Sequence, residues 1–241
     1  MATKRKNKMV NMEFTPKLSG QLDFKPREFN FSEKQQKILD CLLNEDTKVV
    51  FLTGCSGSSK TFLAVYAALH LLNQDHGKNI VYIRTLVESA SRSLGYLPGS
   101  ESEKFQPFML PLMEKCEEIL EDHCSKQLFN SDKITAIPVN FLRGSSLKNK
   151  IVILDEFQNA TLRENITSLS RIGEGTKYFV LADYAQSDIN GKSGIKEIVN
   201  VFDNPESQEK GIYHFSFGKE DIVRSEILKF IMSKLESIPQ K

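Results

Sequence analysis

The stretch from Lys48 to Thr61, KVVFLTGCSGSSKT, constrains the fold of this chain more than any other. Its first half is an unbroken apolar run, typical of a central parallel strand that is covered on both faces. Its second half is rich in glycine and serine and ends in Lys60 and Thr61, so that backbone N–H groups can face an anion where a helix begins. The pattern predicts a Walker A phosphate loop followed by a helix from Thr61 to about Leu72.

Several residues of this loop have predicted roles. Gly57 sits where a phosphate loop needs a positive φ. Lys60 is expected to reach the β- and γ-phosphates of ATP, and the Thr61 hydroxyl is expected to hold Mg²⁺. Ser59 departs from the usual pattern, which has glycine before the lysine, and a simple Gly/Ser turn between strand and helix is the alternative interpretation. The predicted nucleotide-binding residues of the loop are Gly54, Cys55, Ser56, Gly57, Ser58, Ser59, Lys60 and Thr61.

A second apolar run, Ile151 to Leu154, is followed by Asp155 and Glu156. This pattern is typical of a Walker B strand, whose acids emerge at the carboxyl end where open α/β sheets bind ligands. Asp155 is expected to hold Mg²⁺, directly or through water, and Glu156 to orient and deprotonate an attacking water. Two solvated acids at a strand end are the alternative. The cofactors predicted from both motifs are ATP and Mg²⁺.

Two glutamines extend the predicted site. Ser32 and Gln35 form a capping-box pattern at the start of a helix, and Gln35 could instead present a donor and an acceptor to the adenine edge. A further strand, Tyr178 to Ala182, is followed by Asp183 and then by Gln186, which is expected to sense the γ-phosphate beside the Walker acids.

The last predicted site residue is Arg224, at the start of an amphipathic helix from Asp221 to Glu236. It is expected to contact the γ-phosphate, in cis or from a neighbouring subunit. A surface cation near a helix end is the alternative. The predicted catalytic residues are Glu156, Lys60, Gln186 and Arg224.

Strands alternate with helices along the chain, which predicts an α/β domain with a mostly parallel sheet and helices on both faces. A helical region from Lys104 to about Asp122 is expected to be broken by Pro107 and Pro111, and another helix to run from Gly194 to about Phe202. The other predicted strands are Asn79–Arg84, Ile134–Val139 and Ile212–Phe217.

At 241 residues, 40% of them hydrophobic, the chain is long enough for one sizeable domain. Residues 1–28 are basic and aperiodic and predict a partly disordered arm, which leaves residues 29–241 as the folded domain. We expect a soluble, cytoplasmic protein without membrane contact, because no signal peptide or membrane-spanning run is visible. The formal net charge of +1 gives no global field for nucleic acid, so any such contact needs local basic residues. The candidates are Arg84, Arg92, Arg143 and the arm residues Lys4, Arg5, Lys6 and Lys8.

The order of motifs resembles the PhoH family of ATPases, whose core is similar to one RecA-like domain of the superfamily 1 helicases. The resemblance runs from about Phe31 to Ile231. Its most specific parts are Leu94 to Gly99 (LGYLPG), Phe141 to Leu147 (FLRGSSL) and Asp155 to Asn159 (DEFQN). It implies a single RecA-like P-loop NTPase domain. We expect no PIN or other nuclease domain, because the rest of this sequence is too short to contain one.

The chain also departs from the family pattern. Ser59 replaces a glycine, Phe157 a small residue, and Ala182 the glycine before Asp183, while Thr85-Leu86 replaces an Arg-Pro pair. None of these changes removes a charged catalytic group. The resemblance therefore implies ATP hydrolysis, with RNA helicase-like action on single-stranded RNA or DNA.

A lone nucleotide domain has no second domain to close over its ligand, so we expect a homo-oligomer that forms a ring, with a hexamer as one form. An ATP-binding interaction protein with little or no turnover is the alternative function, and the departure at Ser59 leaves this alternative open. A small-molecule P-loop kinase is a further rival. Adjacent Asp155 and Glu156, followed by Gln186, favour activation of water over transfer to a metabolite.

Overall fold

The structure is a computed structural model that describes residues 24–75, 77–85, 101–142, 147–189 and 192–222, with Ile227, Phe230, Ile231 and Lys234. Its strands are β1 (Val49–Gly54), β2 (Asn79–Arg84), β3 (Ile134–Pro138), β4 (Lys150–Asp155), β5 (Lys177–Ala182) and β6 (Ile212–Phe217). Its helices are α1 (Glu33–Leu43), α2 (Lys60–Gln74), α3 (Glu101–Ile119), α4 (Asp122–Phe129), α5 (Leu162–Leu169), α6 (Ile195–Phe202) and α7 (Pro205–Glu209).

The six strands form one sheet in the order β3-β2-β4-β5-β1-β6, and every neighbouring pair is parallel. The prediction of a mostly parallel α/β sheet is therefore confirmed, and the described sheet is wholly parallel. β5 lies between β1 and β4. The carboxyl ends of these three strands are neighbours, so the phosphate loop, the Asp155-Glu156 pair and Asp183 meet at one edge of the sheet.

Alternate residues of the strands enter two separate cores, one on each face of the sheet. On one face Leu52 and Tyr82 pack with residues of α1 to α4, and on the other face Phe51 and Val180 pack with residues of α6. Because a strand places successive side chains on opposite faces, an uninterrupted apolar strand fits only a sheet that is covered on both sides.

The two helices that flank the phosphate-loop strand form as their sequences predict. α1 begins with a complete capping box, in which the Ser32 hydroxyl accepts from the Gln35 N–H and the Gln35 side chain accepts from the Ser32 N–H. α2 buries residues on almost all sides, from Leu63 to Leu72, because it is enclosed by α1, α3 and the sheet. α2 thereby fixes the direction in which its amino end meets a ligand.

α3 corrects one prediction. It runs from Glu101 to Ile119 as one helix, although a break was expected at Pro107 and Pro111. Each proline removes only one backbone hydrogen bond. The buried side chains of Leu112, Cys116 and Ile119 anchor the helix to the core, and such packing supplies most helix stability in proteins.

Both ends of the chain contain predictions that the structure describes only in part. Phe24 lies in the main core, and the Arg27 N–H donates to the Ile119 carbonyl at 2.8 Å, so the described end of the predicted arm packs on the domain. The domain boundary at residue 28 stays a prediction. In the predicted last helix, Ile227, Phe230, Ile231 and Lys234 are helical, whereas Asp221 ends a short 3-10 helix and Ile222 follows it outside any regular element. Arg224 lies outside the described residues.

Across the described residues, each helix is too short or too polar to cross a membrane.

Candidate nucleotide-binding site

The turn between β1 and α2 contains three positive φ angles within six residues. Gly54 has φ 134° and Gly57 φ 83°, which confirms the backbone expected of Gly57. A Cβ on Gly54 would lie 2.3 Å from the Phe217 backbone oxygen, so only glycine fits where β6 passes the loop. Ser59 has φ 65° and ψ 17°, a left-handed conformation that disfavours residues with a Cβ. The departure from the glycine pattern thus falls on a strained backbone position.

The Lys60 side chain lies inside this loop. Its Nζ donates to the carbonyl oxygens of Gly54 at 2.6 Å and Cys55 at 2.8 Å, and it lies 3.4 Å from the Ser58 hydroxyl. Burial lowers the pKa of Lys60, while the negative charge of Asp183 opposes that shift. These carbonyls hold the ammonium group at the mouth of the loop, from which it could exchange them for phosphate oxygens.

Thr61 and Asp155 bring two hard oxygen ligands together. The Thr61 hydroxyl donates to Asp155 Oδ1 at 3.3 Å, and Asp155 as a residue is only 5% exposed. Mg²⁺ is usually bound by one or two protein oxygens together with phosphates and water. No cluster of three or more His, Cys, Asp or Glu suited to a metal occurs within the described ranges. Because Thr61 and Asp155 supply two hard oxygen ligands side by side, the pair fits a Mg²⁺ that the phosphates of a nucleotide also bind.

Tyr82 supports Asp155 from the neighbouring strand. It is fully buried on β2, and its hydroxyl donates to Asp155 Oδ2 in a short hydrogen bond. Burial, and then the adjacent Asp155 carboxylate, raise the pKa of Tyr82, so the phenol stays protonated and remains a donor. With Tyr82 on one oxygen and Thr61 on the other, the Asp155 carboxylate has a fixed orientation.

Glu156 occupies a left-handed conformation, with φ 58° and ψ 33°. Three neighbours hold it there: the Thr85 hydroxyl donates to its carbonyl at 2.6 Å, Gln158 Nε2 donates to its carboxylate at 2.6 Å, and Arg84 lies 3.7 Å from the same carboxylate. Such conformations persist where surrounding contacts impose them, and they are common at functional sites. Arg84, predicted as a nucleic-acid contact, lies against Glu156.

Gln158 is the main site residue that the sequence analysis left without a role. It is 1% exposed, and its Oε1 accepts from the Asp183 N–H at 2.9 Å while its amide group donates to Glu156. Three further hydrogen bonds join the same segments: the Ser187 hydroxyl donates to the Gln158 carbonyl, and two bonds link the Asn159 side chain with Asp188. The end of β4 is thereby joined to the loop after β5. The DEFQN run could have indicated this role, since Gln and Asn immediately after the two acids are well suited to bridge neighbouring strand ends.

A cavity of about 300 Å³ opens beside these groups. Its wall includes the acids Asp155, Glu156 and Asp183, with Gln158. The phosphate-loop residues that line it are Ser56, Gly57, Ser59, Lys60 and Thr61. α3 contributes Lys115 and Glu118, which the sequence analysis did not single out. The cavity thus brings together most of the residues predicted from the two Walker motifs.

Five described residues of the predicted site do not line the cavity: Gly54, Cys55 and Ser58 of the loop, with Gln35 and Gln186. Gln186 ends a short 3-10 helix, is exposed, and does not line the cavity. Gln35 is held by the capping box, and Arg224 lies outside the described residues. Their roles toward the γ-phosphate and adenine stay predictions.

This fold and this loop define a P-loop NTPase domain of the RecA-like type. The chain belongs to the PhoH family: the family model described as PhoH-like protein matches residues 30–236. A PhoH-like protein of Bacillus subtilis strain 168 is 34% identical over 189 residues, covering 76% of this chain and 57% of that protein. A PhoH-like protein of Synechocystis is 31% identical over 205 residues, covering 84% and 60%.

The chain therefore spans a little over half the length of such relatives. Among solved structures, the large terminase of a thermophilic bacteriophage matches with a TM-score of 0.53 and 12% identity, over 86% of this chain and 50% of that one. The same terminase in complex with ADP matches with a TM-score of 0.50. At this identity the likeness concerns the fold alone.

Proposed function

We propose that this domain binds ATP with Mg²⁺ and hydrolyses it. The observation that carries the proposal is the meeting of Lys60, Thr61, Asp155 and Glu156 in one cavity at the carboxyl ends of β1 and β4, which lie on either side of β5. Lys60 and the loop N–H groups would hold the phosphates, and Thr61 and Asp155 would hold Mg²⁺, which supplies charge neutralisation when bound. Glu156 would orient a water and accept its proton.

The test is phosphate release by the wild type and by Glu156→Gln, with ATP binding measured in parallel. We expect Glu156→Gln to retain ATP binding and to lower kcat by about 10²-fold or more, as loss of a general base does. Glu206→Gln, an exposed acid on α7, is the matched control and should keep full turnover. Equal turnover of Glu156→Gln and wild type would remove Glu156 from the mechanism. ATP binding without release by the wild type would favour the alternative, an ATP-binding interaction protein.

We further propose that the domain works as a cytoplasmic homo-oligomer in which Arg224 completes a neighbour's site. In P-loop NTPases an arginine that stabilises the charge on the γ-phosphate is supplied in cis or by a second protein, and this supports the proposal. Arg224 could complete the site of its own subunit, in cis, or that of a neighbour, in trans. Mixing the Arg224→Ala and Glu156→Gln variants in one oligomer distinguishes these two arrangements. In trans, an interface that pairs an intact Glu156 with a neighbour's intact Arg224 regains turnover, whereas in cis the mixture stays as inactive as its parts. A monomer with full activity at every concentration would contradict the oligomer.

We also propose RNA helicase-like association with single-stranded RNA or DNA, which rests on the family resemblance. Phosphate release should be compared without nucleic acid, with single-stranded RNA and with single-stranded DNA. If phosphates are contacted, affinity should fall steeply as salt is added. An absence of binding at low salt would contradict this part of the proposal and leave ATP hydrolysis standing.

A further inference from the structure

Lys115 and Glu118 belong to α3, outside both Walker motifs, yet they line the same cavity as the phosphate loop. Lys115 Nζ lies 2.6 Å from Glu118 Oε2. An ion pair three residues apart on a helix is common and weak when it is exposed. This pair lines the same cavity as Ser56 and Gly57, at the tip of the loop, and that distinguishes it from an ordinary surface pair.

The packing of α3 directs this pair toward the cavity. Leu112, Cys116 and Ile119 are completely buried against the core, so the adjacent stripe of the helix, which carries Lys115 and Glu118, faces the phosphate loop. Arg27 reinforces the end of the helix, because its backbone N–H donates to the Ile119 carbonyl at 2.8 Å. The two charged side chains therefore extend from a fixed backbone.

The charges around the cavity are unbalanced. In the described part of the chain its cationic lining residues are Lys60 and Lys115, against four acids. The acids are Glu118, Asp155, Glu156 and Asp183. A triphosphate stays negative with one Mg²⁺ bound. Arg84 lies 3.7 Å from Glu156 but does not line the cavity, so without Lys115 the lining cation that faces the phosphates is Lys60. Lys115 is the available second cation, and its side chain is 35% exposed, so it can change partner without burying a new charge.

We propose that Lys115 is a second phosphate-binding cation, which leaves Glu118 when ATP binds and contacts the terminal phosphate at the loop tip. The inference rests on the proposed function, since it assumes that the cavity takes ATP. In this arrangement Glu118 has two effects: it holds Lys115 away from the cavity, and its own charge repels the phosphate tail. Lys115 would then distinguish nucleotides with a γ-phosphate from those without one, because only a γ-phosphate would replace Glu118 as its partner.

The experiment measures the dissociation constants of a non-hydrolysable ATP analogue and of ADP, with Mg²⁺, for Lys115→Gln, Glu118→Gln and the double variant. Lys115→Gln should weaken the ATP analogue about tenfold, the scale of one charge-assisted hydrogen bond, and ADP by less than about threefold. Glu118→Gln should tighten the analogue. The double variant should resemble Lys115→Gln, because Glu118 acts largely through Lys115.

Two control variants test whether a change of surface charge outside the cavity is enough to alter nucleotide binding. Lys126→Gln on α4 and Glu117→Gln on α3 change exposed charges that do not line the cavity, and both should bind like wild type. If Lys115→Gln binds the analogue as Lys126→Gln does, or loses ADP and the analogue equally, the inference is overturned. Lys60→Ala tests the proposed function separately from the inference about Lys115. If Lys60→Ala loses binding while Lys115→Gln binds normally, only the role given to Lys115 is overturned. If the wild type binds neither nucleotide, the proposed function and the inference about Lys115 are both overturned.

Discussion

Gln158 donates a side-chain N–H to Glu156 at 2.6 Å, and its amide oxygen accepts from the backbone of Asp183 at 2.9 Å. The partners determine which end of the Gln158 amide is the oxygen and which is the nitrogen, because a backbone N–H can only donate and a carboxylate only accepts. Glu156 is thus oriented by a residue that also fixes the strand lying between the two Walker strands. The position of the predicted general base and the position of the β5 loop depend on each other.

Replacing Gln158 by Met should therefore affect turnover more than binding. The substitution removes the donor to Glu156 and leaves the buried Asp183 N–H without its acceptor. We expect phosphate release to fall about 10- to 100-fold, as when a supporting hydrogen bond of a site is lost. ATP affinity, which depends on the phosphate loop, should change little. Gln127→Met, at an exposed position of α4, should match wild type in both measurements. Normal phosphate release from Gln158→Met would show that Glu156 is oriented without it.

Tyr82 and Tyr178 provide a matched comparison of two buried phenols. The Tyr82 hydroxyl donates to Asp155, whereas the buried Tyr178 hydroxyl has no hydrogen-bond partner among the described residues. Tyr82→Phe should lower the free energy of unfolding by about 1.5–3 kcal/mol, the scale of a hydrogen bond to a charged group, and should weaken the Mg²⁺ dependence of nucleotide binding. Tyr178→Phe should be neutral or stabilising. Equal losses in the two variants, measured by chemical denaturation, would contradict the role given to Tyr82.

Lys177 should make stability depend on alkaline pH. It is 5% exposed and donates to the carbonyls of Leu42 and Asn44 at the end of α1, and burial lowers its pKa to about 8. In the unfolded chain a lysine titrates near about 10.4. At pH values between these two pKa values, the unfolded chain binds more protons at Lys177 than the folded chain does. The contribution of Lys177 to the free energy of unfolding therefore rises with pH.

The measurement is the difference in unfolding free energy between wild type and Lys177→Met, taken at about pH 7 and about pH 9.5, on either side of the lowered pKa. The difference should shift in favour of wild type at the higher pH, because the unfolded lysine then keeps a proton that the folded one has lost. Lys126→Met, at an exposed position, should show no such shift. A wild-type advantage that shrinks as pH rises would have the wrong sign for a lysine with a depressed pKa.

The sequence predicted the sheet and the two Walker motifs because these depend on local patterns. Apolar runs such as Val49 to Leu52 indicate a buried strand by themselves, and the acids after Leu154 need only follow a strand to reach the binding edge. The contacts that orient those acids depend on strand order. Tyr82 meets Asp155 because β2 and β4 pair, and no local pattern records which strands are neighbours.

α3 shows that local patterns can also predict a feature that the folded domain does not have. Local rules predicted breaks at its prolines, yet burial of Leu112 and Cys116 holds one continuous helix. That helix then carries Lys115 to the cavity, across a long separation in sequence from the phosphate loop. Propensity describes a segment alone, whereas packing with the rest of the domain decides where its polar face lies.

Ser59→Gly tests the motif departure that lies within the phosphate loop itself. Ser59 is held at φ 65°, and its side chain makes no capping hydrogen bond to α2. Glycine adopts this conformation freely, so the variant should gain about 1 kcal/mol in unfolding free energy. Removing the Cβ and hydroxyl should also let phosphates approach the loop more closely, and ATP binding should tighten by about 1 kcal/mol or less.

Ser56→Gly is the control for Ser59→Gly, since Ser56 lines the same cavity but is not among the described residues with positive φ. There glycine relieves no strain and adds freedom to the unfolded chain, so stability should fall slightly. A Ser59→Gly variant that is more stable but binds ATP at least tenfold more weakly would mean that the hydroxyl is a phosphate ligand. The strain at Ser59 would then be the cost of holding that hydroxyl in the site, because a left-handed serine persists only where its surroundings impose it.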